Sequence, residues 1–244
     1  MMIKAYFDAI RQQLDEVERT QTENLQRAAQ VMADAIASDH LIYVFGATHA
    51  GILAQELFYR AGGLACISPI LPPGLTCDVR PITMTSHLER HSGYAQIFMS
   101  EIPIEAGDVL IVHSVSGRNA VAVEVAQYGR DKGATVIALT SLTYSRSVAP
   151  RAGTKRLYEV ADIVLDNCGV IGDAVVEVPG MRQKVSPTST VIGAAMLNAL
   201  VAQTVALLKE RGIDPPVFLS ANMDGGDVHN AKLLQRYRGR VTYL

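Results

Sequence analysis

Val109-Leu-Ile-Val-His-Ser-Val-Ser-Gly-Arg-Asn119 is the stretch on which the reading of this chain turns. Val109 to His113 is too short and too β-branched for a helix, and it predicts a buried strand. A helical pattern over Asn119 to Lys132 follows at once. Between them, Ser114, Ser116, Gly117 and Asn119 form a small, hydroxyl-rich turn at the amino end of that helix. Unpaired backbone N–H groups and the positive end of the helix dipole converge at such a place. A phosphate monoester suits it. The turn has no lysine and no GxxxxGK[ST] pattern occurs anywhere, which argues against a nucleoside triphosphate loop.

Outward from this stretch, short apolar runs alternate with helical patterns. Leu41 to Phe45, Leu64 to Ser68, Thr135 to Leu139 and Ile163 to Leu165 read as further strands. Gly46-Ala-Thr-His-Ala-Gly51 turns into a helix from Ile52 to Ala61, stopped by Gly62-Gly63. Residues 69–107 are irregular, with Pro69, Pro72, Pro73 and Gly74 forbidding regular structure and a short helix expected within Leu88 to Met99. This alternation predicts an α/β fold with a mostly parallel five-stranded sheet and right-handed crossovers. Before it, residues 2–37 carry apolar positions at three- and four-residue spacing and predict a helical hairpin broken near Thr20. After it, Thr188 to Arg211 predicts a long helix that is apolar all round. The tail holds the turn cluster Asn222 to Asp227 and a short helix from Asn230. The expected organisation is one domain over 1–244: a helical extension at 2–37, a core at 40–212 and a tail at 213–244.

The 244 residues are 49% hydrophobic and 19% charged, which is enough to bury a large core. A net charge of −2 without a basic block gives no electrostatic case for nucleic acid or an anionic membrane surface. No run reads as a membrane span and the amino end lacks signal-peptide order, so a cytoplasmic protein is expected. Cys66, Cys77 and Cys168 show no CxxC pairing and read as free buried thiols. The histidines and acids have no recognised metal spacing, so neither a metal nor a cofactor is expected. The long apolar helix and the amphipathic 2–37 segment offer more apolar surface than one domain covers. That predicts a homo-oligomer, dimer or tetramer.

The order of the pieces resembles the sugar isomerase (SIS) family, over roughly residues 40–212. Ser114-Val-Ser-Gly-Arg-Asn119 resembles that family's SxSGxT phosphate turn, with Asn119 in place of Thr. Gly46-Ala-Thr48-His49-Ala50 resembles its GxGxS first turn, with Thr48 in place of Gly and Ala50 in place of Ser. Pro187-Thr188-Ser189-Thr190 is similar to the hydroxyl-rich turn that opens a later helix there. Phe45-Gly-Ala-Thr-His, Phe58-Tyr-Arg-Ala-Gly-Gly63 and Leu88-Glu-Arg are most similar to its phosphoheptose-isomerase-like branch. The resemblance implies a doubly wound, flavodoxin-type sheet with helices on both faces and a small phosphorylated sugar as ligand. Family members include aldose–ketose isomerases, an enzyme that cleaves a lactyl ether and ligand-sensing modules, so fold is a better guide to ligand than to reaction.

On this reading Ser114, Ser116, Gly117, Arg118 and Asn119 hold the phosphate, and a plain capped turn is the competing use of the same residues. Thr48, Thr188, Ser189 and Thr190 are candidate sugar contacts. Thr48 resists a positive φ, which predicts a different backbone path in the first turn. Isomerisation through an enediol needs a carboxylate base and a group that opens the ring. Glu56 and Glu89 are the candidate bases, and His49 is the best-placed histidine. His87 and His91 flank Glu89 as a second acid–base set, His113 reads as structural, and His229 as a residue offered across a subunit boundary. Two alternatives remain open: a non-catalytic phosphosugar sensor and an amino-sugar-phosphate ether lyase.

Overall fold

The computed structural model describes residues 1–151 and 155–244. Five parallel strands form its central sheet: β1 (Ile42–Gly46), β2 (Ile67–Ile70), β3 (Val109–His113), β4 (Thr135–Thr140) and β5 (Ile163–Asp166), in the order β2-β1-β3-β4-β5. All residues of β1, β2 and β3 are buried, as expected for strands covered on both faces. This is the flavodoxin-like order, and its direction of winding reverses between β1 and β3. Gly46 pairs with His113 across that point, so the turns leaving both strands open side by side.

Helices α1 (Met2–Ala37), α2 (Ile52–Leu57) and α8 (Ser189–Glu210) pack together on one face. The other face carries α4 (Tyr94–Met99), α5 (Ala120–Asp131) and α7 (Leu157–Val160). The predicted break near Thr20 does not occur, and residues 2–37 form one continuous helix rather than a hairpin. Thr20 Oγ1 donates back to the Glu16 carbonyl at 2.7 Å and Thr22 does the same to Glu18, so both threonines are absorbed by the turn before them. Buried Gln13 and Gln21 fasten the helix to the sheet edge. Gln13 Nε2 donates to Asn167 O at 2.7 Å, and Gln21 Oε1 accepts from Asp166 N at 3.0 Å.

Three further boundaries differ from expectation, the first two because the tail draws the chain away. Helix α2 ends at Leu57, not Ala61, because Phe58 is extended and the chain swings out to meet the tail. Ala65 N donates to Pro216 O at 2.7 Å, and Leu64 bridges Val217, which delays β2 to Ile67. The short helix expected within 88–99 is α4; a further helix, α3 (Thr83–Leu88), precedes it, and between them Gly93 takes φ 86°. Glu124 of α5 holds that break, accepting from Gly93 N at 3.0 Å and from Ser92 Oγ at 2.7 Å. The final helix, α9 (Gly226–Tyr237), begins four residues before Asn230.

Sequence reading missed α6 (Leu142–Ser147), α7 and the hairpin of β6 (Ala174–Val176) with β7 (Val185–Pro187). It also found no run of membrane-spanning length, yet α8 is long and apolar enough to cross one by length and composition, at a mean hydropathy of 2.0. In this fold α8 buries Ile192, Met196, Leu197, Leu200 and Leu208 and leaves Val191 exposed. Of the three thiols only Cys66 is buried, with its pKa pushed up to about 12 by desolvation; Cys77 is exposed and Cys168 half-buried.

Candidate functional site

A cleft of about 190 Å³ opens where the turns after β1 and β3 lie side by side. Thr48, His49, Glu89, Ser114, Ser116, Asn119 and Ser189 all line it, together with His113, Tyr144 and Asp173. Residues far apart in sequence are thus gathered at the carboxyl edge of the sheet, where open α/β folds bind ligands.

The turn after β3 is built to leave its donors open. Its carbonyls face back into the protein: Val115 O accepts from Ser141 N at 3.0 Å, Gly117 O from Leu157 N at 2.8 Å, and Arg118 O from Arg151 N at 3.0 Å. Among the described residues, the backbone N–H groups of Ser116, Gly117, Arg118 and Asn119 have no acceptor, and neither Ser114 nor Ser116 spends its hydroxyl. Asn119 is the N-cap of α5, yet its side chain makes no capping bond and its buried Oδ1 is unpartnered. Tied carbonyls and open amides at a helix start make a concavity suited to an anion. Gly117 sits at φ +57°, and a Cβ there would meet Ser145 Oγ at 2.9 Å. Its smallness therefore serves packing behind the turn as well as its path. Gly117 and Arg118 form the back of the turn and do not line the cleft.

The first turn reaches the same place by a path that sequence reading rejected. Thr48 does adopt a positive φ, 55°, and its N–H donates to Leu75 O at 2.7 Å, which holds it there. Gly46 is required by close approach: a Cβ would lie 2.4 Å from the Ala50 carbonyl. His49 is exposed at the cleft, with Nδ1 3.8 Å from the Cys77 thiol.

The two candidate bases part company. Glu89 follows α3 and lines the cleft; burial raises its pKa, against the opposing pull of Arg90 and Arg151. Its backbone carbonyl accepts from Val121 N at 3.2 Å, which seats it over the first turn of α5. Glu56 lies outside the cleft on α2, paired with Arg60 and accepting from Asn198 Nδ2 at 3.1 Å. His87 and His91 are exposed and do not line the cleft either. His229 Nε2 sits 2.9 Å from the Val217 carbonyl of its own chain.

His113, only 1% exposed, places Nδ1 3.1 Å from Ala50 O. Desolvation lowers its pKa from 6.5 to about 4, so the ring is neutral near pH 7 and Nδ1 carries the proton that the carbonyl accepts. The expected structural hydrogen bond is present.

The start of α8 is organised differently from that of α5. Asp173 Oδ1 accepts from Ser189 N at 2.9 Å and from Thr188 N at 3.2 Å, and Oδ2 accepts from Ser189 Oγ at 2.5 Å. The donors that sequence reading offered to a sugar are therefore engaged by a carboxylate. Thr188 is fully buried with its hydroxyl unpartnered, and Thr190 lies off the cleft. Asp173 and Tyr144 were missed. Tyr144 could have been found, because Ser141 caps α6 directly after β4 and accepts from Tyr144 N at 3.1 Å. Asp173 carried no local signal.

Among the described residues, His40, Glu105 and Asp108 are grouped closely enough to hold a metal ion. They sit at the opposite, amino edge of β1 and β3. Asp108 is already engaged there, accepting from Leu41 N at 2.9 Å and from Glu105 N at 2.9 Å.

The SIS domain family matches residues 5–141, from α1 through the end of β4. A UPF0309 protein of Shouchella clausii is 46% identical over 99% of both chains, and one of Oceanobacillus iheyensis 42% identical over the same shares. Among solved structures, a phosphoheptose isomerase from Francisella tularensis superposes with a TM-score of 0.52 at 19% identity, over 83% of this chain and 95% of its own. The Vibrio vulnificus NanR protein complexed with ManNAc-6P gives 0.51 at 13%, over 98% and 70%. These two share the fold. The chain belongs to the SIS domain family, alongside the UPF0309 proteins that match its whole length.

Proposed function

We propose that the cleft binds a phosphorylated sugar and interconverts its aldose and ketose forms through an enediol. One observation carries the reading: Ser114, Ser116 and Asn119, with their open donors, and the partly buried Glu89 line one cleft. Ser114, Ser116 and the N–H groups of Ser116 and Asn119 hold the phosphate, with the α5 dipole behind them and Gly117 and Arg118 shaping the turn from outside the cleft. Glu89 takes the proton from the carbon beside the carbonyl; that electron pair forms the enediol double bond, and the carbonyl oxygen takes up a proton. Return of a proton from Glu89 to the former carbonyl carbon, as the other hydroxyl gives up its proton and becomes the new carbonyl, completes the exchange. A carboxylate whose pKa is raised is a better base for this step than an ordinary one. His49 opens the sugar ring by moving a proton between the anomeric hydroxyl and the ring oxygen. Thr48 and Ser189 contact sugar hydroxyls, and Glu56, outside the cleft, takes no part. Known chemistry of two proteins with this fold, a phosphoheptose isomerase and a protein holding ManNAc-6P, supports the ligand class.

A second copy of the chain is the proposed partner, docking on the exposed Ile3 and Phe7 of α1 and Val191 of α8. Measurement of mass in solution tests it, with a monomer as the contrary result. The functional test is a thermal-shift screen of sugar phosphates against their parent sugars and inorganic phosphate. A stabilising sugar phosphate should lose its effect in Ser116→Ala and take up deuterium from solvent at the isomerising carbon. Stabilisation without turnover or exchange would replace the isomerase by a sensor.

A further inference from the structure

The cleft has two chemically unlike ends. One is the open turn of α5, rich in unspent donors. The other is the start of α8, where Asp173 lines the cleft beside Ser189; among the described residues no lysine or arginine lines the cleft. Arg90 and Arg151 act on Glu89 electrostatically, yet neither reaches the lining. Asp173 is held firmly, at φ 67° after Gly172, by three bonds from the start of α8. Its Oδ2 accepts one of these and has a lone-pair direction left for a ligand donor.

From this we infer that Asp173 determines specificity, so that the substrate is a phosphosugar bearing a primary amine or only hydroxyls at its far end. A second anionic group there is rejected. The inference rests on the phosphate end being where the proposed function puts it. A carboxylate on the ligand would be set against the Asp173 carboxylate, with no lysine or arginine among the described residues of the cleft lining, in a confined space where like charges repel strongly. A hydroxyl can donate to Oδ2, and an ammonium donates with charge assistance. The same wall explains why Ser189, itself donating to Asp173, presents only its oxygen lone pairs to a guest.

Isothermal titration with inorganic phosphate, glucose 6-phosphate, glucosamine 6-phosphate and 6-phosphogluconate tests the inference on the unaltered protein. Glucosamine 6-phosphate is expected to bind tightest and 6-phosphogluconate at least about tenfold more weakly than glucose 6-phosphate. Asp173→Asn, which keeps an acceptor for the α8 amides, should narrow both ratios and leave inorganic phosphate unchanged. If that variant does not fold, the ratios in the unaltered protein decide alone. Equal binding of the gluconate and glucose esters, with phosphate still bound, overturns the acidic-wall inference and leaves the phosphate site standing. No binding of any ester or of phosphate overturns both.

Discussion

Two helix starts face the same cleft, and they are opposites. Both α5 and α8 follow a strand or hairpin, and both open with serine, threonine or asparagine, so local sequence gives them the same meaning. At α5 the side chain of the N-cap residue Asn119 makes no capping bond and the amides of residues 116–119 stay free. At α8 the amides of Thr188 and Ser189 are closed by Asp173, 15 and 16 residues upstream across the β6–β7 hairpin. An open start concentrates positive potential where a ligand can use it, whereas a start capped by a carboxylate has already used it. Hydroxyl-rich turns are therefore only potential anion sites. What lies opposite them decides.

The largest expected effect tests whether the open end is also the reactive end. Glu89→Gln should lower kcat by about 10²–10⁴-fold, the usual loss when a general base is removed, while Glu56→Gln should leave it unchanged. Because burial raises the Glu89 pKa, activity should rise with pH through a value above the ordinary carboxylate range. The same shift means that Glu89 favours the folded state below its unfolded pKa, and that this contribution is lost as pH rises through the raised one. Denaturation of Glu89→Gln should accordingly show a flatter pH dependence there.

Next in size, Ser114→Ala combined with Ser116→Ala should weaken inorganic phosphate by about 100-fold, the loss of two hydrogen bonds to a charged group. Thr190→Ala should not change it. Titration calorimetry of the two variants sets the open start against the closed one directly. At α8 itself, Asp173→Ala should cost about 1–2 kcal/mol of stability through the lost cap without lowering phosphate affinity. Chemical denaturation and calorimetry on the same sample separate the two effects.

A last effect, seen only on changing pH, concerns the strand between the turns. His113 is held neutral, with its folded pKa near 4 and an unfolded value near 6.5. The unfolded chain then binds the extra proton between these values, so stability present above pH 6.5 falls as pH drops toward 4. His113→Gln should remove that slope.

How far all this was legible in the sequence follows the same division. Strand β3 and the turn after it are found with their bounds because burial, β-branching and a small-residue turn are local properties. The sheet's parallel order follows from alternation. Features missed depend on distant chain. Thr48 takes its positive φ because Leu75 O holds its amide, and α2 stops early because residues 216–218 draw the next segment away. Thr20 suggested a break by its type, but its hydroxyl found the carbonyl one turn back. Asp173 matters only through the hairpin that brings it to α8, and nothing in Gly172-Asp173 announces that.

Backbone amide shifts during a titration with inorganic phosphate, followed by NMR on labelled protein, address the difference between the two helix starts at the atoms concerned. The largest changes should fall on Ser116 and Asn119, with Thr188, Ser189 and Thr190 unmoved. Shifts centred on 188–190, or none at Ser116 and Asn119, would contradict the account.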